Sequence, residues 1–338
     1  MRKPATSEKA ISALNMLTKA QKYFVKQLSL VCQKNSLAEQ FTAKQWLRDN
    51  GIHGGGVRYE APINSLFNQA SVNVSQIQYE DMPEKAFVSA TALSTIIHPV
   101  SPLAPSVHIH VSWTELRNGK SYWRVMADLN PAIESQQDTE IFNQTLKNVS
   151  GKYFKHAKEA GDKYFHILAL QTHRGVSHFY LEGFNPENVS GLVFCEDFLF
   201  AVIDTYIAIF SEKVSQQKAT NQTISIAEKQ QQLDYHTLYL YQVLTLDKGT
   251  TAGLLIHDQN DLGTLASLSR FINQSLLTSW IDKTAHPFNE LVQAIVSVLP
   301  NADKDSDIQI CEITDDIKIL ITGAMRSYYK IHPLKKSN

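Results

Sequence analysis

Polar and apolar positions form a central block that alternates with period two, flanked by stretches in which apolar residues recur every three to four positions. The first helical stretch places Ile11, Leu14, Leu17, Phe24, Leu28 and Val31 at helical spacing, with Ser7 to cap its start and an end near Asn35. Ser36 with Glu39 makes a capping box for a second helix carrying Phe41, Trp46 and Leu47, with the two aromatics expected in the core. The glycine-rich run at 51–57 lacks both the Lys-Ser/Thr of a phosphate-binding loop and the spacing of a dinucleotide fold. It predicts a flexible turn before a strand. Alternation at 71–79 and 86–97 then predicts half-buried antiparallel strands.

The segment 94–112 organises the rest. Pro99, Pro102 and Pro105 fix φ and lack an N–H, so the chain between His98 and Ser106 is expected to be extended and outside any sheet ladder. Beyond it, Val107, Ile109, Val111 and Trp113 share one strand face, and His108, His110 and Ser112 share the other. Asn118-Gly119 predicts a two-residue hairpin turn into a partner strand at 122–129. With Arg117 opposite Lys120, Asp128 falls on the face away from His108; a single bulge returns it to the same side, and both registers stay open. Helical periodicity resumes at 140–164, a strand is expected at 178–181, and a buried helix at 191–210. The Gln-rich stretch 216–232 reads as a surface loop or the exposed start of a helix, and 238–246 as a strand running into Asp247. An acidic loop at 301–307 precedes a final strand and a helix with a basic end at Lys335 and Lys336. With no repeat and no Pro/Gly/Ser linker, the expectation is a single domain over 1–338 of α+β class, an antiparallel sheet covered by helices.

Charge and cysteine content narrow the setting. The 32 Lys and Arg nearly balance the 33 Asp and Glu, so no global charge draws the chain to nucleic acid or an anionic membrane. The three cysteines, Cys32, Cys195 and Cys311, are odd in number and far apart, which predicts a reducing cytoplasm rather than a disulfide framework. No apolar run reaches bilayer length. Imidazoles at both ends of a stiff connector suggest His98, His108 and His110 as ligands of a divalent transition metal, with Fe, Cu, Mn and Zn undistinguished; the competing reading is ordinary half-exposed strand histidines.

Four motifs carry a resemblance: GGGVRYEAPINSLFNQASVNVS at 54–75, the pair STIIHP at 94–99 and PSVH at 105–108, ADLNP at 127–131, and DKGTTAGL at 247–254. In this order they resemble the motifs of oxygen-dependent coproporphyrinogen III oxidase, over residues 54–280. The resemblance implies a large flat antiparallel sheet sandwiched between helices, a homodimer, a small-molecule substrate cleft, dioxygen as co-substrate and no organic cofactor. The implied reaction converts propionate side chains of a porphyrinogen to vinyls, releasing carbon dioxide and hydrogen peroxide.

Residue by residue, the resemblance implies that Ser94 belongs to the substrate site and that His98 is metal-associated. It gives His108 the role of proton donor, and Asp128 and Asp247 the role of catalytic carboxylates. Several positions depart from the family's pattern. His-x-Asn-x-Arg is here His108, His110 and Ser112; a glycine triplet is Arg124, Val125 and Met126; two family histidines are Asn143 and Ala169; and Gly-Gly-Arg is His257, Asp258 and Gln259. Ser112 and Gln259 thus replace carboxylate-clamping arginines, with His110 added and Arg174 and Arg124 left to take over anion binding. The expected function is oxidative decarboxylation of coproporphyrinogen oxidase type with an altered substrate. The alternatives are a metal-dependent oxidase or decarboxylase of the same fold acting on a smaller non-porphyrin substrate, and a catalytically silent tetrapyrrole-binding or partner protein.

Overall fold

The structure, a computed structural model, describes residues 2–37, 41–62, 65–186, 190–220, 222–256, 259–300 and 309–334. Helix α1 (Glu8–Lys34) starts at Ser7, whose side chain accepts from the Ala10 N–H, and ends at Asn35, as the pattern predicts. Ile11 is the exception on its face: 42% exposed, it stands outside the core. Five antiparallel strands of a meander come next, β1 (Thr42–Leu47), β2 (Gly54–Glu60), β3 (Phe67–Gln78), β4 (Phe87–Pro99) and β5 (Ser106–Leu116), followed by β6 (Ser121–Asn130). Helices α2 (Gln136–Ser150) and α3 (Phe154–Phe165) follow, then a two-stranded ribbon of β7 (His166–Ile167) and β8 (Thr172–His173). Strand β9 (Ser177–Phe184) and helix α4 (Gly191–Ala219) complete this half.

Strands β1 to β6 and β9 form one seven-stranded sheet in the order β1-β2-β3-β4-β5-β6-β9, every pairing antiparallel. The α+β class is as the sequence predicts. One face of the sheet is apolar: Val72, Val74, Leu93, Ile97, Val107, Ile109, Val111, Val125, Ala127, Leu129, Phe179 and Leu181 join residues of α1, α2 and α4 in a single core. Gln21 of α1 fastens helix to sheet, donating Nε2 to the carbonyls of Val57 at 2.7 Å and Val72 at 2.8 Å. Helix α3 lies on the other face at the β9 end, where Asp162 bonds His178 and Tyr164 packs on Tyr180.

Two expectations about this half are corrected. Residues 42–47 form an edge strand, not a second helix: Trp46 pairs with Gly56, Leu47 with Gly55, and Leu47 is exposed. The capping-box partner Glu39 lies outside the described residues. Residues 54–56 belong to a strand rather than a flexible turn. A Cβ on Gly56 would meet Trp46 Nε1 at 2.5 Å and the Val74 carbonyl at 2.7 Å, so glycine here serves close strand and indole approach.

Contacts gather the chain into two compact units, 1–165 with 175–225, and 166–174 with 226–338. A single domain over 1–338 stays an expectation about folding, and the second unit is described by itself. Besides β7 and β8 it holds α5 (Ile226–Thr245), α6 (Lys248–Ile256), α7 (Asp261–Thr264), β10 (Phe271–Asn273), α8 (Gln274–Ser279), α9 (Phe288–Ser297), β11 (Ile310–Glu312) and α10 (Asp315–Ile331). The final strand and helix are as expected, and β11 pairs with β10. Residues 301–307 and the lysine end fall outside the described residues. The strand expected at 238–246 is instead the last turns of α5, in which every residue from Tyr239 to Thr245 is buried. The Gln-rich stretch divides into the end of α4 and the start of α5.

Gly161 sits inside α3 where a Cβ would meet the carbonyl carbon and Cβ of His178 at 2.9 Å, whereas a Cβ on Gly323 of α10 would meet nothing within 4 Å. Helix propensity alone favours alanine at either site by about 1 kcal/mol. Gly323→Ala is therefore expected to raise stability and Gly161→Ala to lower it by about 1–3 kcal/mol through overpacking; thermal unfolding that shows the same sign for both would contradict this.

Burial on α5 lowers the His236 imidazole from 6.5 to about 3, against a smaller upward pull from a hydrogen bond with the Phe271 backbone. The unfolded chain takes up this proton near 6.5 and the folded chain only near 3. Between those values the unfolded state binds more protons, and stability falls as pH falls, by up to about 1.4 kcal/mol per pH unit. Denaturant midpoints across that window should lose this slope in His236→Gln; an unchanged slope would contradict the assignment.

Candidate active site

The second face of the sheet is polar, and register sorts it into cross-strand rows. In one row Ser106 of β5 is opposite Asn130 of β6, and His98 of β4 reaches Ser106 through its side chain. The bond from His98 Nδ1 to Ser106 Oγ is 2.9 Å, and both residues are buried. The next row runs Ile96, His108, Asp128, His178, and the next Ser94, His110, Met126, Tyr180. Beyond it Ala92, Ser112 and Arg124 align.

Asp128 therefore lies on the same side as His108, directly opposite it. The turn has three residues, not two: the Leu116 N–H donates to the Lys120 carbonyl at 2.8 Å, and Gly119 takes φ +81°. Asp128 is fully buried, and its Oδ1 lies 2.7 Å from His108 Nδ1. Its Oδ2 accepts from Asn130 Nδ2 at 2.6 Å. A carboxylate with no water needs such partners, because an unpaired buried charge costs several kcal/mol. His108 is only partly buried, and its Nε2 makes no hydrogen bond among the described residues. An imidazole held at one nitrogen by a buried carboxylate, with the other left to a reactant, is equipped to carry a proton.

The row continues in His178, buried, with Nδ1 2.9 Å from Asp162 Oδ1. Burial works against the Asp162 charge, yet bonds from Lys158 and His178 hold its carboxyl below the usual range. Neither His178 nor Asn130 was singled out from the sequence. Asn130 was within reach, since it shares parity with Asp128 on one strand, but His178 joins only through the long-range pairing of β6 with β9.

The face thus gathers Ser94, His98, His108, His110, Ser112 and Asp128. It does not make the three histidines a ligand set. Among the described residues no three His, Cys, Asp or Glu side chains group to hold a metal ion.

Arg174, Asp247 and Gln259 belong to the second unit. Arg174 is no solvated cation: it is buried, donates to Gln242 Oε1 at 2.8 Å and lies over the Tyr239 ring. Gln259 is exposed. Asp247 stands at a helix start, not a strand end. Its Oδ1 accepts from the Thr250 N–H at 2.6 Å and its carbonyl from the Thr251 N–H at 3.1 Å, the N-cap pattern for α6. All three cysteines are buried and outside any disulfide, and among the described residues no helix is long and apolar enough to cross a membrane.

An antiparallel sheet with helices packed on its apolar face and an acid–base pair on its polar face defines the class. The chain belongs to the coproporphyrinogen III oxidase family, whose sequence model matches residues 12–274. Relatives named oxygen-dependent coproporphyrinogen-III oxidase include one from Rickettsia akari, 28% identical over 244 residues, covering 68% of this chain and 83% of that protein. The Prochlorococcus marinus protein is 26% identical over 275 residues, covering 69% of this chain and 78% of its own. For the Drosophila melanogaster protein the figures are 24% over 246 residues, 65% and 61%.

If capping is the structural duty of Asp247, asparagine should replace it with little loss and alanine should cost about 0.5–2 kcal/mol. Chemical denaturation of Asp247→Asn and Asp247→Ala checks this; an alanine variant as stable as the parent would remove the cap from the account.

Proposed function

We propose that the chain is an oxygen-dependent oxidoreductase of coproporphyrinogen oxidase type, acting on propionate side chains of a substrate less anionic than coproporphyrinogen III. The observation that carries this reading is the His108–Asp128 pair within the region that matches the family. In the balanced reaction a propionic acid side chain and dioxygen give a vinyl group, carbon dioxide and hydrogen peroxide. The substrate loses two electrons, dioxygen accepts them, and the departing protons need a nearby base. His108 handles a proton at Nε2 while Asp128 holds the ring and stabilises the imidazolium. The resemblance assigns Asp247 a carboxylate role toward pyrrole N–H groups, and that assignment is part of the same proposal.

The substrate shift rests on the cations. Ser112 offers a hydroxyl where the family pattern has an arginine, and Arg124, opposite it on β6, is engaged by Glu182. Arginine–carboxylate bonds contribute about 1.5–3 kcal/mol each, so their loss weakens a polyanion by roughly tenfold or more per site. The homodimer implied by the resemblance and the cytoplasmic setting read from the cysteines belong to the same proposal.

Aerobic and anaerobic incubation with coproporphyrinogen III and with porphyrinogens carrying fewer carboxylates, followed by mass spectrometry for loss of carbon dioxide, tests the reading. Oxygen-dependent turnover favouring the less anionic substrates is expected, reduced about a hundredfold or more in His108→Ala, with Ser112→Arg improving coproporphyrinogen binding. No aerobic decarboxylation of any of them, or full activity in His108→Ala, would overturn it.

A further inference from the structure

Asn130 is fully buried at the end of β6, and its amide orientation can be argued from its neighbours. Its Nδ2 lies 3.1 Å from the Asp128 backbone carbonyl and 2.6 Å from Asp128 Oδ2. A carbonyl oxygen only accepts, so the group facing it must be the NH2. The same NH2 then faces Oδ2, which must accept as well. Turning the amide over would set oxygen against two oxygens.

The other end of the amide is enclosed. Asn130 Oδ1 is buried with no hydrogen-bond partner. Gly175, at φ +80°, packs so closely that a Cβ there would come within 2.5 Å of it and 2.7 Å of the Leu129 carbonyl. An orphaned buried acceptor is destabilising, so nothing about the amide as a space-filler accounts for it. What the amide does supply is a donor to one oxygen of a carboxylate whose other oxygen holds the imidazole.

We propose that Asn130 is a positioning residue that sets the state of the His108–Asp128 pair: by donating to Asp128 Oδ2 it keeps the carboxylate an acceptor, so that His108 carries its proton on Nδ1 and presents a bare Nε2. Hydrogen bonds to the charged form of a carboxylate favour that form, and a carboxylate facing Nδ1 selects the Nδ1–H tautomer. Asn130 acts through Asp128. The inference rests on the reading of His108 as a proton carrier, but it concerns the resting chain and can be examined without any substrate.

The test is side-chain 15N resonance of the neutral imidazoles in the free, full-length chain, with His108 assigned by its loss in His108→Gln. The parent should show one dominant neutral tautomer, with protonated Nδ1 and bare Nε2. Asn130→Val and Asn130→Thr share a shape, and only the hydroxyl of threonine can donate to Asp128. Loss of the single tautomer in Asn130→Val with its return in Asn130→Thr supports the proposal. It is overturned if the parent shows protonated Nε2, if Asn130→Val keeps the parent signature, or if Asn130→Thr fails to restore it. Should Asn130→Val not fold, the parent and Asn130→Thr spectra decide alone: the Nδ1–H tautomer in both supports it, and its absence from either overturns it. Inactivity toward porphyrinogens leaves this result standing, so the two readings fail separately.

Discussion

The antiparallel register between β5 and β6 decides what the polar face of the sheet contains. It is set at a three-residue turn, where the Gly119 N–H reaches the Leu116 carbonyl at 3.1 Å, the Lys120 N–H reaches Asn118 Oδ1 at 3.1 Å, and Gly119 supplies the left-handed φ. Moving the register by one residue would carry all of β6 to the opposite face. Asp128 would then stand beside Ile109 in the apolar core with no partner for its charge, while Val125, Ala127 and Leu129 would be turned among polar groups. The cost of the stranded carboxylate alone is several kcal/mol. The hydrophobic pattern of the strand and the geometry of its turn therefore enforce the same pairing, and the His108–Asp128 contact is a consequence of both.

Once Asp128 is fixed on that face, its burial constrains its surroundings. Each carboxylate oxygen has a donor or an imidazole within 2.7 Å, one from the neighbouring strand and one from two residues along its own. The neighbouring row repeats the theme on a smaller scale, with fully buried His98 held by Ser106 across β4 and β5. At the far end His178 takes its partner from α3, and the glycine at 161 is what lets that helix come close enough for Asp162 to reach the ring. The polar face is thus held together by side-chain bonds of the kind that buried polar groups require, while the opposite face is held by apolar contact with α1, α2 and α4.

The strands β3 to β6 were legible because each has one apolar and one polar face, which is what period-two alternation reports. Helix α1 was legible for the corresponding reason, down to its cap. Two elements misled. In α5 the run LeuTyrLeuTyrGlnVal is rich in strand-forming residues, and because Tyr235, His236 and Tyr239 to Thr245 are buried on every side the helix has no polar stripe to betray its period. At β1 a capping box and two large apolar residues imitated a helix. What they could not convey was that Trp46 would lie against Gly56, a contact made by pairing with a later strand.

The side of the sheet on which Asp128 lies was also available in the sequence, but from a different signal than the turn. Trp123, Val125, Ala127 and Leu129 alternate with the polar residues of β6, and Val107, Ile109, Val111 and Trp113 alternate likewise on β5. Two strands that share one core must place these two sets together, so even-numbered residues of one are brought opposite even-numbered residues of the other. That parity puts Arg124, Met126, Asp128 and Asn130 with His108, His110 and Ser112 before any turn type is chosen. A dipeptide turn signal is local and admits neighbouring loop lengths, whereas the apolar face is fixed by eight residues acting together, so the pattern should outweigh the turn wherever the two disagree. The limit of the same reasoning is β9: its offset from β6 is broken by an irregularity between Trp123 and Val125, and the connection passes through two helices. For that strand only the folded arrangement brings His178 into line with Asp128.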